Sequence, residues 1–182
     1  LIGDQCWFAE NLRSENYENG DAIPSGLSDS EWTFTTSGAT AVYGESASNL
    51  ETYGRLYNWY AVDDARGLCP SGWHVPTDGE WTVMTDFLGG ASVAGGQMKA
   101  TSGWHDGGNG TNSSGFSGLP GGFRSYSNGY FSDAGNFGTW WSSSPNGSNA
   151  WYRFLFYDFE SVSRNYYDLR SGFSVRCVRD AE

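Results

Sequence analysis

Two histidines, three cysteines and one oxygen-rich glycine loop are the places in this 182-residue chain where side-chain type and spacing could support chemistry. His74 lies in the turn GWHVP and reads as a satisfied turn residue, while His105 follows Trp104 in a more open glycine loop. Neither belongs to a G-x-S-x-G elbow or an H-E-x-x-H helix, and the chain carries no P-loop or dinucleotide fingerprint. Asp63 and Asp64 are neighbours on a predicted helix, so their carboxylates diverge by roughly 100° and do not face one substrate. The run HDGGNGTNSSG offers Asp106, Asn109, Thr111 and Asn112 as oxygen donors that could converge with backbone carbonyls on calcium. The same run also reads as a tight structural turn. Cys6, Cys69 and Cys177 include no C-x-x-C pair, which disfavours a zinc ribbon or a thioredoxin-type site. The expectation is a protein that does not catalyse and needs no cofactor, with calcium as the one metal to consider.

The positive signal is aromatic. SYSNGYFSDAGNFG, YRFLFYDFES and RNYYDLRS concentrate Tyr, Phe, Asn, Asp, Ser and Arg with little aliphatic material. That is the composition of a recognition surface, where rings supply contact area at low entropic cost and short polar groups adapt their hydrogen bonds. At period two, Trp151, Arg153 and Leu155 fall on one face of a strand and Tyr152, Phe154 and Phe156 on the other. The first face leads into Val162 and the closing core strand and is assigned inward. The second then looks toward a ligand surface made of Arg124, Tyr126, Tyr130, Tyr152, Phe154, Phe156, Tyr157, Tyr166, Tyr167, Asp168 and Arg170. Tyr166 and Tyr167 are adjacent on a strand and cannot both face inward.

These residues need elements to position them. IGDQCWFAENLR predicts a strand with Cys6 and Phe8 on one side and Trp7 and Ala9 on the other. Ser14 to Asn49 reads as loops with short strands, anchored by Trp32 and Phe34. A helix is predicted from Tyr53 to Arg66, ended by Gly67 and Pro70. A second is signalled by a Thr77/Glu80 capping box, an apolar stripe of Trp81, Met84 and Leu88, and Gly89-Gly90 as its stop. The glycine-rich passage that follows must trace a path that side chains would obstruct. From Gly121 onward, short apolar runs predict antiparallel strands, with Asn128-Gly129 and Asn146-Gly147 as hairpin turns. In the last run Phe173, Val175 and Cys177 alternate with Ser174 and Arg176 as a core strand would. The order gives an α+β fold. Cys69 in a rigid turn and Cys177 in the last core strand are expected to form a disulfide, leaving Cys6 free.

Composition bounds the class. The length suits one domain spanning 1–182. Only 38% of residues are apolar but 17% are aromatic, so the core must be built from rings. Residues 1–100 hold 14 acids against 4 bases and residues 101–182 hold 7 against 6, which leaves the aromatic half near neutral within a net charge of −11. So acidic a chain repels phosphate backbones, which argues against nucleic acid as a partner. No apolar run suggests membrane insertion, and the start at Leu1 reads as that of a mature or excised domain.

Taken together, IGDQCWFAENLR, YGRLYNWYAV, LCPSGWHVPTDGEW, FLGG, GGQMK, GFSGLPGGFR, WWSSS and GFSVRCVRD resemble the Fibrobacter succinogenes major paralogous domain of secreted and surface proteins in Bacteroidetes and relatives. The resemblance covers nearly the whole chain. It implies a C-type lectin-like fold, with two helices flanking small sheets and a long loop region. That fold is shared by retroelement-variable proteins, which end in a similar G-F-x-x-R run, and by the formylglycine-generating enzyme. The enzyme's copper chemistry needs two close thiols in the C-terminal part, and here only Cys177 lies there. The lectin sugar signatures E-P-N, Q-P-D and W-N-D are absent. The resulting expectation is a secreted or cell-surface module that binds polysaccharide, the alternative being recognition of a cell-surface protein.

Overall fold

The computed structural model describes residues 1–181. In chain order the elements are β1 (Gln5–Trp7), α1 (Asp29–Phe34), β2 (Thr40–Ala41), α2 (Ala47–Tyr53), β3 (Leu56–Tyr57), α3 (Trp59–Val62), α4 (Asp78–Phe87), α5 (Ala94–Met98), β4 (Gly121–Arg124), β5 (Phe131–Ala134), β6 (Phe137–Asn146), β7 (Asn149–Phe156), β8 (Ser163–Asp168) and β9 (Val178–Asp180). The last five strands before β9 form one sheet in the order β5-β4-β6-β7-β8, while β1 pairs with β9 and β2 with β3. This is an α+β arrangement with few, short helices.

The sheet is built around the β6–β7 hairpin. Asn146 opposes Asn149, and Gly147 takes the left-handed φ of 62° that a two-residue hairpin turn demands. Between Trp141 and Pro145 the register shifts, so two extra β6 residues bulge out before Trp141 meets Tyr152. The bulge serves α4: Ser144 Oγ accepts from the Asp78 N–H at 3.0 Å, and the Ser143 N–H donates to Pro76 O. The α4 capping box is present as expected, with Thr77 Oγ1 accepting from Glu80 N and Glu80 Oε2 from Thr77 N.

Strand alternation gives the sheet two faces. Trp140 and Leu155 face α4 and pack with Trp7, Trp81, Met84 and Phe116. Trp81 is the hub, its ring 4.7 Å from Trp7 and 5.8 Å from Phe116. Arg153 is buried on this face as expected, donating to Asp78 Oδ1 at 2.7 Å, and Arg164 on the adjacent strand grips the same carboxylate at 2.8 Å. The other face turns Trp141 and Tyr152 onto Phe173, Tyr57 and Trp59.

Residues 172–178 run through the middle and tie the parts together. Gly172 exchanges backbone bonds with Arg124, Phe173 with Tyr57 and Val178 with His74, while Ser174 donates to Thr139 O and accepts from Trp141 N. On the other edge Leu12 N and Phe8 N donate to Val175 O and Cys177 O. Bonded on both sides, this strap is buried at every position, with Phe173, Val175 and Cys177 in one core cluster and Arg176 and Val178 against the other, the alternation expected of a core strand. Arg176 is buried with Nε on Asn11 Oδ1 (2.7 Å), Nη1 on Phe8 O and Phe116 O, and Nη2 on Ser117 O, its guanidinium 4.3 Å above the Phe116 ring. No carboxylate pairs with it among the described residues. Burial lowers its pKa to about 9, with Glu10 pulling weakly the other way, so it stays charged at neutral pH. Cys177 joins Cys69 across 108 residues, as expected, and Cys6 is free. Closing so long a loop is worth about 4–5 kcal/mol on the chain-entropy argument.

Several expectations give way to tertiary context. No helix runs from Tyr53 to Arg66: Gly54 turns left-handed (φ 73°), Leu56–Tyr57 pairs with Thr40–Ala41, and only Trp59–Val62 coils, capped by Asn58 Oδ1. Tyr57 must bond the strap, and a helix would withdraw both its backbone groups. Within 14–49, α1 and α2 replace expected loops, α1 with its own Ser28/Glu31 capping box. Trp32 is a buried anchor, but Phe34 is 79% exposed. Trp151, expected inside, is half-buried on β7 with the Arg164 guanidinium 3.5 Å above it.

Two outcomes follow. Arg176→Met leaves the Phe8, Phe116 and Ser117 carbonyls without their donor, and urea unfolding is expected to show a loss of about 3 kcal/mol or more; a loss under about 1 kcal/mol contradicts the role. For Asp78, burial pushes the carboxyl pKa up, but the bonds from Arg164 and Arg153 outweigh it and the net shift is downward. A depressed folded pKa contributes stability that is complete above the unfolded value near 4 and is lost as pH falls through the folded value. Asp78→Asn is therefore expected to flatten the acid limb of the stability–pH curve below about pH 4, and an unchanged limb contradicts this.

Candidate functional site

On the sheet face away from α4, the packed rings give way to an open trough of about 280 Å³. Its walls come from all five strands. Phe137 and Thr139 project from β6, Tyr152 and Phe154 from β7, Tyr167 from β8, Phe123 from β4 and Asp133 from β5, with Phe173 of the strap also lining it. Register explains the gathering, since Thr139 opposes Phe154, Trp141 opposes Tyr152 and Ala150 opposes Tyr167, which sets these side chains on one face. The rings form a continuous wall: Tyr152 stacks on Phe154 at 5.7 Å, and Phe137 lies 5.8 Å from Phe154 and Phe173 4.7 Å from Tyr152. Thr139 Oγ1 donates to Gly122 O and keeps its oxygen free to accept. Burial, then the neighbouring Tyr167, pushes the Tyr152 hydroxyl up to about 12, and burial followed by Tyr126 and Asp168 raises Tyr167. Both phenols are neutral at physiological pH and act as hydrogen-bonding groups, not as bases.

Of the expected ligand residues, the trough brings together Tyr152, Phe154 and Tyr167. Tyr152 was expected to point outward, but it is 9% exposed because Trp141 and Phe173 pack on it, so it is as much core as wall. Tyr126 stands at the rim, 5.4 Å from Tyr167, beneath the guanidinium of Arg170, which pairs with Asp168 at 2.8 Å and donates to Thr33 O. Phe156 continues the row beyond Phe137, at 4.7 Å. Tyr130 is 60% exposed on the β4–β5 loop. Tyr166 turns to the opposite face, edge-on to Trp151 at 5.5 Å. Arg124 is placed elsewhere altogether: it is 2% exposed, clamped between the Trp32 and Phe131 rings, with Nε on Gly129 O and Nη2 on Leu27 O. It holds loops and is not within reach of a ligand. Phe123, Asp133, Phe137, Thr139 and Phe173 were missed. Phe137 and Thr139 share the alternation of Trp141 and were open to detection. Asp133 sits at a left-handed φ of 64°, which no local signal announces.

Tyr157 belongs to a second cleft of about 490 Å³, formed with the glycine loop, Lys99 and residues 158–160. Lys99 Nζ donates to Tyr157 O (2.8 Å) and Phe159 O (2.7 Å) and lies 5.0 Å from the Trp104 ring. The glycines are there for close packing, because a Cβ on Gly108 would meet Tyr157 O at 2.2 Å and one on Gly110 would meet Gly96 O at 2.5 Å. The residues expected as calcium donors are held in local hydrogen bonds or exposed. Asn109 Oδ1 accepts from Trp104 N and Asn112 Oδ1 from Ser117 N, Thr111 Oγ1 bonds Gly96 O and Ser113, and Asp106 stands exposed beside His105. Among the described residues, no three His, Cys, Asp or Glu side chains gather around a common point.

The remaining chemical candidates are dispersed. His74 Nε2 meets Glu80 Oε1 at 2.6 Å beside the start of α4, His105 is exposed with its ring 5.7 Å from Tyr157, and Asp64 is bound by Arg66. Among the described residues no helix is long and apolar enough to cross a membrane.

No curated protein matches the chain. The family model for the Fibrobacter succinogenes major domain matches residues 1–179, from the first residue into β9 and including every wall of the trough. The motif string therefore means what it resembled, and the chain belongs to the Fibrobacter succinogenes major domain family.

Proposed function

We propose that this chain is a non-catalytic ligand-binding module of C-type lectin-like fold that holds one sugar unit of a polysaccharide in the aromatic trough. The observation that carries the reading is the trough itself, where half-exposed Phe123, Phe137 and Phe154 and exposed Tyr167 present ring surface to solvent with few polar groups among them. Such rings are costly to leave wet, and an exposed apolar patch of this kind marks a binding surface. A sugar ring offers apolar C–H surface to stack on aromatic planes and hydroxyls for Thr139, Tyr167 and Asp133. At about 280 Å³ the trough is near the lower end of ligand sites, which suits one ring-sized unit of a longer chain. The Cys69–Cys177 disulfide is compatible with an oxidising compartment, and we place the module in a secreted or cell-surface protein. A cell-surface protein partner is the second reading, favoured by Tyr126 and Arg170 beside Tyr167 and by exposed Tyr130 on the β4–β5 loop, residue types that dominate protein interfaces.

A glycan array followed by calorimetry on the positive oligosaccharide tests the proposal. Tyr167→Ala and Phe154→Ala are each expected to weaken binding by about 1–3 kcal/mol, with the melting temperature of Tyr167→Ala nearly unchanged. Trp141→Ala, fully buried behind the trough, is expected instead to cost about 3–5 kcal/mol of folding free energy. Wild-type affinity in both trough variants would contradict the site. The proposal needs no metal, so affinity and melting temperature are expected to survive a chelator; a fall in either would reinstate calcium in the 106–112 loop.

A further inference from the structure

We propose that the sugar unit bound in the trough carries a protonated amine, an inference that rests on the glycan-binding reading above. Among the described residues, Asp133 is the only charged side chain lining the trough. Its Oδ2 accepts from Ser132 Oγ at 2.7 Å, and no arginine, lysine or histidine among the described residues pairs with it. The other carboxylate near the rim, Asp168, is neutralised by Arg170. Sugar hydroxyls can donate to this carboxylate, but they leave its negative charge unneutralised against an aromatic wall. An ammonium group compensates it fully, and the electron-rich faces of Phe123, Phe137, Phe154, Tyr152 and Tyr167 attract the same cation.

The backbone presents this carboxylate deliberately. Asp133 and the residue across from it, Gly122, both take a left-handed φ of 64°, interrupting the β4–β5 ladder between the Gly121–Ala134 and Phe123–Ser132 pairs. A Cβ on Gly122 would meet Ser132 O at 2.3 Å, so the interruption requires glycine there. Strict alternation would put residue 133 on the face opposite Phe123; the left-handed turn brings it to the trough instead.

The test is calorimetry with equal-length oligomers of glucosamine, N-acetylglucosamine and glucose, at low salt and at a pH where the free amine is protonated. The glucosamine oligomer is expected to bind at least about tenfold more tightly than the other two. Asp133→Asn removes the charge while keeping a residue that tolerates the left-handed conformation, and in it the preference is expected to shrink to about threefold or less. Equal affinity for the three oligomers overturns the inference and leaves the glycan reading standing. So does a tenfold preference that survives Asp133→Asn, since the net charge of −11 then accounts for it. If none of the three binds at all, the inference is overturned, and the glycan reading is decided by the array and the trough variants.

Discussion

The structure depends on a buried extended segment that satisfies its backbone against almost every other part of the molecule. Residues 172–178 bond to β3, β4, β6, the N-terminal segment and the His74 turn, and no helix or sheet alone would hold these parts in one register. A segment this enclosed must have every polar group partnered, and Arg176 supplies the donors for carbonyls at Phe8, Phe116 and Ser117 that no N–H reaches. Asn11 links the same cation to the Trp140 indole, so the polar centre and the aromatic core are one network. The Cys69–Cys177 bond then fixes the end of the segment to the turn before α4.

That centre explains why one sheet has two such different faces. Toward α4 the rings of Trp7, Trp81, Phe116 and Trp140 close completely. On the other side the strap reaches only part of the sheet: Phe173 covers Trp141 and Tyr152, and beyond it Phe137 and Phe154 have nothing above them. The trough is where the covering layer stops. Its shape is inherited from the core, since Phe173 of the strap bounds one end and its β7 wall is anchored through Tyr152, so a ligand meets a preformed surface.

Much of this was legible in short-range patterns. The Thr77/Glu80 box located α4, and the alternation of Trp151 to Phe156 separated a core face carrying Arg153 and Leu155 from a face carrying the trough rings. Asn146-Gly147 announced the hairpin, but the two-residue bulge before Trp141 meant that exact cross-strand partners could not be counted from the turn, only their parity. The α1 capping box used the same signature as that of α4, yet with a single buried residue, Trp32, the helix had no apolar stripe to confirm it. What stayed hidden was nonlocal. Arg124 has the appearance of a recognition residue until Trp32 and Phe131 close over it, and Phe173 and Asp133 reach the trough through a strap path and a left-handed turn that neither hydrophobic period nor composition encodes.

The most direct test of the central claim is to watch the rings themselves. In a ¹H–¹³C aromatic NMR titration with an oligosaccharide that the module binds, the account predicts saturable shifts for Phe123, Phe137, Phe154 and Tyr167, with Tyr157, Phe159 and His105 of the second cleft unmoved. Shifts confined to the second cleft, with the trough rings unchanged, would contradict it.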